Sequence, residues 1–463
     1  MRRSTLSQSA VSVAAVPSPL ASARLRRIIA AYTINRLGTW IGLVALTVAV
    51  FDHTHSAIAV AGLLLAWQAV PAFVVPALVA RVETSTRRGE LSRLYAFEAV
   101  ATASLAVLLW HFWLPAVLVI AALDGTAALA ASALLRAEVA RAAREHVEAR
   151  AGGAARSPER MEAERHEAER RANAALNVAF SATFVLGPVL GGVVVAGAGA
   201  PTALFIDVGS FLICGAMLTD LCTHVEEGGE ASVRARLRAA WRHINDVPAL
   251  RALLLIETAA LIFFEFAGPI EIVYAKSTLH AGDGGYGLLL SAWGAGVVVG
   301  SIFFARSVRR TLGVMLSAGT LAIGLAYIGF AVAPSLALAC GAAVLGGLGN
   351  GVQWASVVSA VQRLTPQRLH GRMMGALESL GAICPAIGLS LGGSLVALAS
   401  ARGAFLIAGL GAAAAAAGFV WLALGGIDSA AVEESPISAS AGVHRDGSLG
   451  GRPRESSPSM HLE

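Results

Sequence analysis

The chain has 463 residues, of which 56% are hydrophobic and only 14% charged, with a mean hydropathy of +0.68. A soluble globular chain carries about 25% charged residues, so the composition excludes an ordinary water-soluble domain and puts the chain in a membrane. The net charge of +5 does not argue for nucleic acid, because the basic residues sit in short segments between apolar runs.

Residues 1–27 carry Arg2, Arg3, Arg24, Arg26 and Arg27 but no clean apolar core, and read as a tail rather than a signal peptide. Twelve apolar runs follow: 28–51, 57–80, 93–113, 115–136, 174–197, 201–222, 250–274, 285–305, 312–333, 335–361, 373–399 and 403–424. Each meets the roughly 20-residue length of a spanning helix, and Gly and Pro inside them are tolerated there. Alternate connecting segments are rich in arginine: Arg81, Arg87, Arg88 and Arg93; nine arginines from Arg136 to Arg171; Arg234, Arg236, Arg238, Arg242 and Arg251; Arg306, Arg309 and Arg310; Arg363, Arg368 and Arg372. The other set of loops holds only Lys276 and Arg402. Because basic loops stay inside, both termini are expected in the cytoplasm and the chain in the inner (plasma) membrane. The charged, helix-prone stretch 137–172 is expected as a cytoplasmic insertion in a first bundle spanning 28–222. Residues 223–249, with VRARLRAAWRH, suit an interfacial amphipathic linker to a second bundle over 250–424. The Ser-, Gly- and Pro-rich tail 425–463 is expected to be disordered. The fold class is therefore an all-α membrane protein with two six-helix bundles. The four cysteines, Cys214, Cys222, Cys340 and Cys384, show no disulfide or zinc spacing.

Span five reads FVLGPVLGGVVVAG, with Gly187, Pro188, Gly191 and Gly192; span eleven reads ICPAIGLSLGGSLVALA. Small residues so spaced let helices approach closely, and plain helix packing uses the same spacing. Gly187 and Gly191 are expected on a close contact that seals one side of a cavity. The two strings lie six spans apart, as in a duplicated transporter fold.

These motifs carry a resemblance. The Gly187-Pro188…Gly191-Gly192 string resembles the antiporter motif of the major facilitator superfamily, in its twelve-span drug:proton antiporter branch with macrolide efflux and siderophore export proteins. YGLLLSAWGAGVVVGS (286–301), LGGLGNGVQWASVVSAVQRLTPQRLHGRMMGALESL (345–380), RANAALN (171–177) and FIDVGSFL (205–212) are similar to family segments in the same order. The resemblance covers residues 25–424 and implies two six-helix bundles around a central cavity. It departs at RVETSTRRGEL, where Glu83, Arg87 and Arg88 take the places of the family's inner-gate charges and Thr84 replaces the first arginine. In span one, Thr39 stands where many relatives have an acid.

Charge inside a bilayer is costly and marks function by default. The candidates are Arg36 in span one, Asp124 in span four, Asp207 in span six, Glu265 in span seven and Glu378 in span eleven. Glu98, Glu257 and Glu271 also lie within spans. Low-dielectric surroundings favour a carboxylate's neutral form, so such acids suit proton coupling; a structural ion pair such as Arg36 with Asp124 is the alternative. Asp207 fits a structural family pattern. Trp67, Gln68, Phe264, Asn350, Gln353 and Trp354 fall on spans that line family cavities, and suit amphipathic cargo or ordinary packing. His53, His55, His111 and His280 fall in loops, and no metal or other cofactor is expected. The single lysine, Lys276, lies outside any glycine-rich phosphate loop, so ATP-driven pumping is excluded. The expectation is a monomeric, non-enzymatic exporter of a small organic molecule by proton antiport. Uptake or uniport by the same fold, and a non-transporting sensor or assembly partner, are the alternatives.

Overall fold

The computed structural model describes residues 22–74, 87–151, 157–223, 241–307 and 310–425. Twelve helices are long and apolar enough to cross a membrane. In the first half these are α1 (Ala23–Thr54), α2 (Ala57–Val74), α3 (Glu90–Leu108), α4 (Leu114–Ala151), α5 (Pro158–Ala198) and α6 (Ala200–Met217). In the second half they are α7 (Pro248–Thr278), α8 (Gly282–Arg306), α9 (Leu312–Val332), α10 (Leu336–Arg363), α11 (His370–Leu398) and α12 (Ala401–Leu424). The tails and most of the expected 223–249 linker lie outside the described residues.

The far ends of α1 and α7, opposite the arginine-rich side, turn alike. His55 caps α1 at φ 48° and returns its N–H to Phe51 O at 2.7 Å; His280 takes φ 51° before α8. Trp110 and Trp113 are exposed on the far side and Trp421 on the arginine side, where indoles anchor a bundle in the interfaces.

The two halves repeat one packing scheme. Within each bundle α1 packs on α5 and α7 on α11; between bundles α5 meets α8 and α11 meets α2. Small residues make these crossings possible. A Cβ on Gly191 would come within 3.1 Å of Ile41 Cα and 3.0 Å of Val44 Cβ, and one on Gly187 would overlap Trp40. Both therefore lie on a close helix contact, as expected, and it seats α5 on α1 of its own bundle. The crossing to the other bundle belongs to Gly192, whose Cβ would come within 2.9 Å of Asp283 O and 3.2 Å of Gly287 Cα. In α11, Gly388 and Gly392 lie against Glu265 and Phe266 of α7, and Gly393 against Ala57 and Ala61 of α2.

The stretch 137–172 is helical where described, as its composition suggested. Its charged residues continue α4 and α5, whose 38 and 41 residues give helices about 60 Å long, roughly twice the hydrocarbon core. The projecting hairpin has an alanine-rich seam, with Val139, Ala142, Ala143 and Val147 in one buried cluster with Ala168, Ala172, Leu25 and Ile28. Small side chains alone bury little area, and ion pairs supplement them. Arg165 meets Glu148 at 2.7 Å and Arg144 meets Glu169 at 3.3 Å. Glu138 is buried and accepts from Arg24 (2.5 Å) and Arg141 (2.8 Å), tying the start of α1 to the hairpin. Among the described residues the fold is helical apart from a two-residue antiparallel pairing of Arg87–Arg88 with Cys222–Thr223, which fastens the chain just before α3 to the end of α6.

Two outcomes test this packing. Glu138→Ala removes the buried carboxylate that Arg24 and Arg141 share, leaving both the half-exposed Glu145, and should cost about 1–3 kcal/mol, read as a lower unfolding temperature of the purified protein. Glu162→Ala, at an exposed side chain, should change nothing measurable. Equal effects of the two would refute a structural network at Glu138. Gly192→Leu should force α5 and α8 apart, so that a cysteine at the buried Ser291 becomes reactive to a soluble thiol reagent in the purified protein. Continued protection would show that the crossing absorbs the larger side chain.

Candidate functional site

Three acids of the first bundle converge. Asp124 on α4 is buried and accepts from Thr102 Oγ1 of α3 at 3.3 Å. Asp207 on α6 is buried beneath Gly38 and Gly42 of α1 and accepts from Ser210 Oγ at 3.1 Å. Glu98 on α3 is 1% exposed, and its Oε1 has no hydrogen-bond partner. Asp124 and Asp207 line one cavity of about 30 Å³ with Thr39, Trp67 and Thr102. That is room for about one water. Among the described residues no ion pair reaches any of the three.

The second bundle buries acids along α7. Glu257 is fully enclosed; one oxygen accepts from Gln353 Nε2 of α10 at 2.5 Å and the other, Oε1, has no partner. Glu265 is half-buried against Gly388 of α11. Pro269 has no N–H to offer Glu265 O, and α7 breaks into separate helical pieces at Phe266. Glu378 is exposed near the arginine-side end of α11.

Arg36 and Asp124 do not pair. The Arg36 guanidinium instead lies 5.2 Å from the Phe180 ring of α5 and 5.9 Å from that of Trp40, one turn further along α1. Those rings begin an aromatic path through the centre of the molecule. Phe184 lies 5.9 Å from Phe180 and 4.8 Å from Trp40, and packs against the second bundle's core, its carbonyl against Gly294 beside Trp293. Phe264 lies 5.9 Å from Trp293, which stacks on Tyr327 at 5.7 Å. The six expected cavity residues thus separate. Phe264 joins the aromatic path, Trp67 lines the small acid cavity, Gln353 is committed to Glu257, Asn350 is half-buried, and Gln68 and Trp354 are exposed.

The bundles close on the far side. Lys276 Nζ joins Asp52 of α1 and Asp283 of α8, each at 2.5 Å, and so crosses between them. Val189 N–H of α5 donates to Ser291 Oγ of α8 at 2.9 Å. On the arginine side, among the described residues, α4 makes no comparable contact with α10 or α11, nor α5 with α10. The molecule is closed at one end and parted at the other.

Glu83 lies outside the described residues, and only the backbones of Arg87 and Arg88 are described. Among the described residues no cluster of three His, Cys, Asp or Glu could hold a metal; His53 instead stacks on Phe112 at 4.4 Å. Sequence reasoning passed over Lys276 as a loop lysine and left Glu98 and Glu257 outside its leading candidates. A signal for the lysine was available, since it is one cation opposite Asp52 and Asp283 at two other span ends.

Comparison with known proteins agrees with this geometry. Residues 253–449 match the family model described as Major Facilitator Superfamily. The multidrug efflux pump Tap of Mycobacterium tuberculosis is 26% identical over 246 residues, 51% of this chain and 58% of that protein. Tap of Mycolicibacterium fortuitum is 24% identical over 247 residues, 51% of this chain and 59% of that protein. The matches therefore span less than two thirds of either relative. The nucleoside transporter NupG superposes with a TM-score of 0.67 at 11% identity, over 87% of this chain and 99% of its own. The POT family transporter PepTSo gives 0.62 at 12% identity, over 89% and 99%. These structural likenesses, at such low identity, speak to fold alone. The Major Facilitator Superfamily model thus matches residues 253–449, and the fold across both bundles is that of these transporter structures.

Proposed function

We propose that this protein exports a small organic molecule by alternating access, driven by proton influx. The observation that carries the reading is the one-ended closure. Glycine crossings and the Lys276–Asp52 pair join the bundles on the far side, while the arginine-side halves of α4 and α5 stand clear of α10 and α11. Arginine-rich loops face the cytoplasm, so the opening faces inward, where cargo for export would enter. The half-buried rings of Trp40, Phe180 and Phe184 offer apolar stacking surface, while Trp293 and Tyr327 are buried in the second bundle's core. The name of the efflux relatives supports outward movement.

Proton coupling is assigned to the buried acids, with Asp124 and Glu265 as the leading pair. Each is an acid without a cation in contact, and a carboxylate so placed changes charge with access to water. Asp207 and Glu98 share the first bundle's acid cluster. Glu257 is the second bundle's alternative, with Gln353 as its donor.

Two experiments test this reading. A cysteine replacing the exposed Glu159 in the α4–α5 hairpin should resist an impermeant thiol reagent added to intact cells and react after permeabilisation. Rapid labelling from outside reverses the orientation. In inverted vesicles, Asp124→Asn or Glu265→Gln should abolish pH-driven accumulation, a loss of about tenfold or more, while cargo exchange down its own gradient persists. Full pH-driven accumulation in both single variants and in the double variant would remove these residues from coupling.

A further inference from the structure

The charge at the centre of α1 indicates what kind of cargo fits. Arg36 is the fourteenth residue of the helix, about 20 Å along it at 1.5 Å per residue, which is well inside the bilayer. It is half-buried, its Nε is enclosed without an acceptor, and among the described residues it has neither an ion pair nor a hydrogen bond. A cation left unpaired at that depth is costly unless something else meets it. The ionisable groups around it do not supply a negative charge. They are Tyr32, Tyr95 and a second cation, Arg136 of α4. Of the bundle's buried carboxylates, Asp124 is engaged with Thr102 and Asp207 with Ser210 beneath α1, and Glu98, whose Oε1 has no hydrogen-bond partner, makes no ion pair with Arg36 among the described residues.

The neighbours of Arg36 repeat the pattern. Asn35 Nδ2 and Trp40 Nε1 are also enclosed N–H donors with no acceptor, so α1 gathers three donor groups within two turns. Enclosed donors left unmade carry a penalty that an oxygen-rich ligand removes. Phe180 and Trp40 flank the guanidinium with ring faces, and Phe184 continues that surface toward the second bundle. A guanidinium meets a carboxylate through two parallel N–H bonds, and aromatic faces take a flat ring.

We propose that the cargo is an aromatic anion whose acidic group docks on Arg36 while its ring lies among Phe180, Trp40 and Phe184. This rests on the transport reading for its setting, but the docking itself can be measured without transport.

The test uses the full-length protein in lipid nanodiscs and two dyes with one xanthene ring system and opposite charge, fluorescein (anionic) and rhodamine 6G (cationic). Binding is followed by fluorescence anisotropy. Wild type should bind fluorescein saturably and at least about tenfold more tightly than rhodamine 6G. Arg36→Gln should weaken fluorescein by about tenfold or more and leave rhodamine 6G unchanged or tighter. Arg36→Lys should recover only part of the loss, since it keeps the charge and lacks the planar fork. Should R36Q fail to stay monodisperse, Phe180→Leu is read instead, with weaker fluorescein binding expected from a site whose charge is intact. Tighter binding of rhodamine 6G by wild type, binding of neither dye, or fluorescein affinity within about twofold of wild type in the variant read overturns the proposal. Vesicle transport separates the two readings. Pumping of rhodamine 6G that ignores R36Q, with no fluorescein binding, sinks the anion site and leaves export standing. Arg36-dependent fluorescein binding without any transport leaves the site and sinks export.

Discussion

Helices already dissolved in lipid gain nothing by hiding leucine from it, so their association rests on how closely backbones can approach. Here the approach is repeatedly set by a carbonyl lying against a glycine. Pro71 has no N–H for Trp67 O four residues before it, and that oxygen lies so near Gly125 that a Cβ there would overlap it. Pro188 frees Phe184 O in the same way, and a Cβ on Gly294 of α8 would come within 2.9 Å of it. One device therefore meets two needs: it satisfies an oxygen that lipid cannot, through Cα–H contact, and it fixes a crossing. The first example holds α2 to α4 within a bundle; the second holds α5 to α8 across the closure. The aromatic path and the buried acids take their places from these crossings.

This explains which parts of the sequence were legible. Twelve spans and their alternation follow from hydropathy and arginine placement, which are one-dimensional properties. The repeat between spans five and eleven was also visible, because it consists of glycine and proline at matching spacing. What a glycine faces was not visible. Gly191 and Gly192 are adjacent, yet about 100° apart around the helix; one seats α5 on α1 and the other meets α8. The close contact expected at Gly191 is present, but composition carries no azimuth and could not say which helix each glycine meets. The same limit applied to Gln353 and Trp354, one buried against Glu257 and the other exposed. The 137–172 stretch was legible as helix-prone, but not as an extension of the spanning helices themselves. Charge density marks where a helix leaves the bilayer, not where it ends, and here α4 runs on to Ala151 and α5 starts at Pro158.

Charge is distributed with a consistent logic. On the arginine side, opposite charges are interleaved, and Glu138 is shared by Arg24 and Arg141. Such pairs stiffen one bundle and do not oppose its movement against the other. Inside the membrane the signs are kept apart: the acids cluster with hydroxyl and amide donors, and Arg36 lies among rings. Pairing Arg36 with Asp124 would neutralise both at once and leave neither to respond to proton or ligand. On the proposed export reading, separation would leave the acids to the proton and Arg36 to the ligand, as two centres in one bundle.

The far-side closure then has the character that alternating access requires. A large apolar interface would be too stable to reopen, whereas lipid-like surfaces joined by glycine crossings lose little when they part. The polar contacts there are few: the bond from Val189 N to Ser291 Oγ, and Lys276 between Asp52 and Asp283. Asp52 is nearly half exposed and Asp283 about a quarter, so water screens the pairs and their net contribution is of the order of 1 kcal/mol. Lys276 also keeps Asp283 of its own bundle when it lets go of Asp52, so opening does not leave a bare ammonium. A closure held by few weak polar bonds, in which the breaking charge keeps one partner, can be shifted by the binding of a proton or a cargo molecule. The same interface in water would need a far larger apolar seal, and that seal would forfeit the switch.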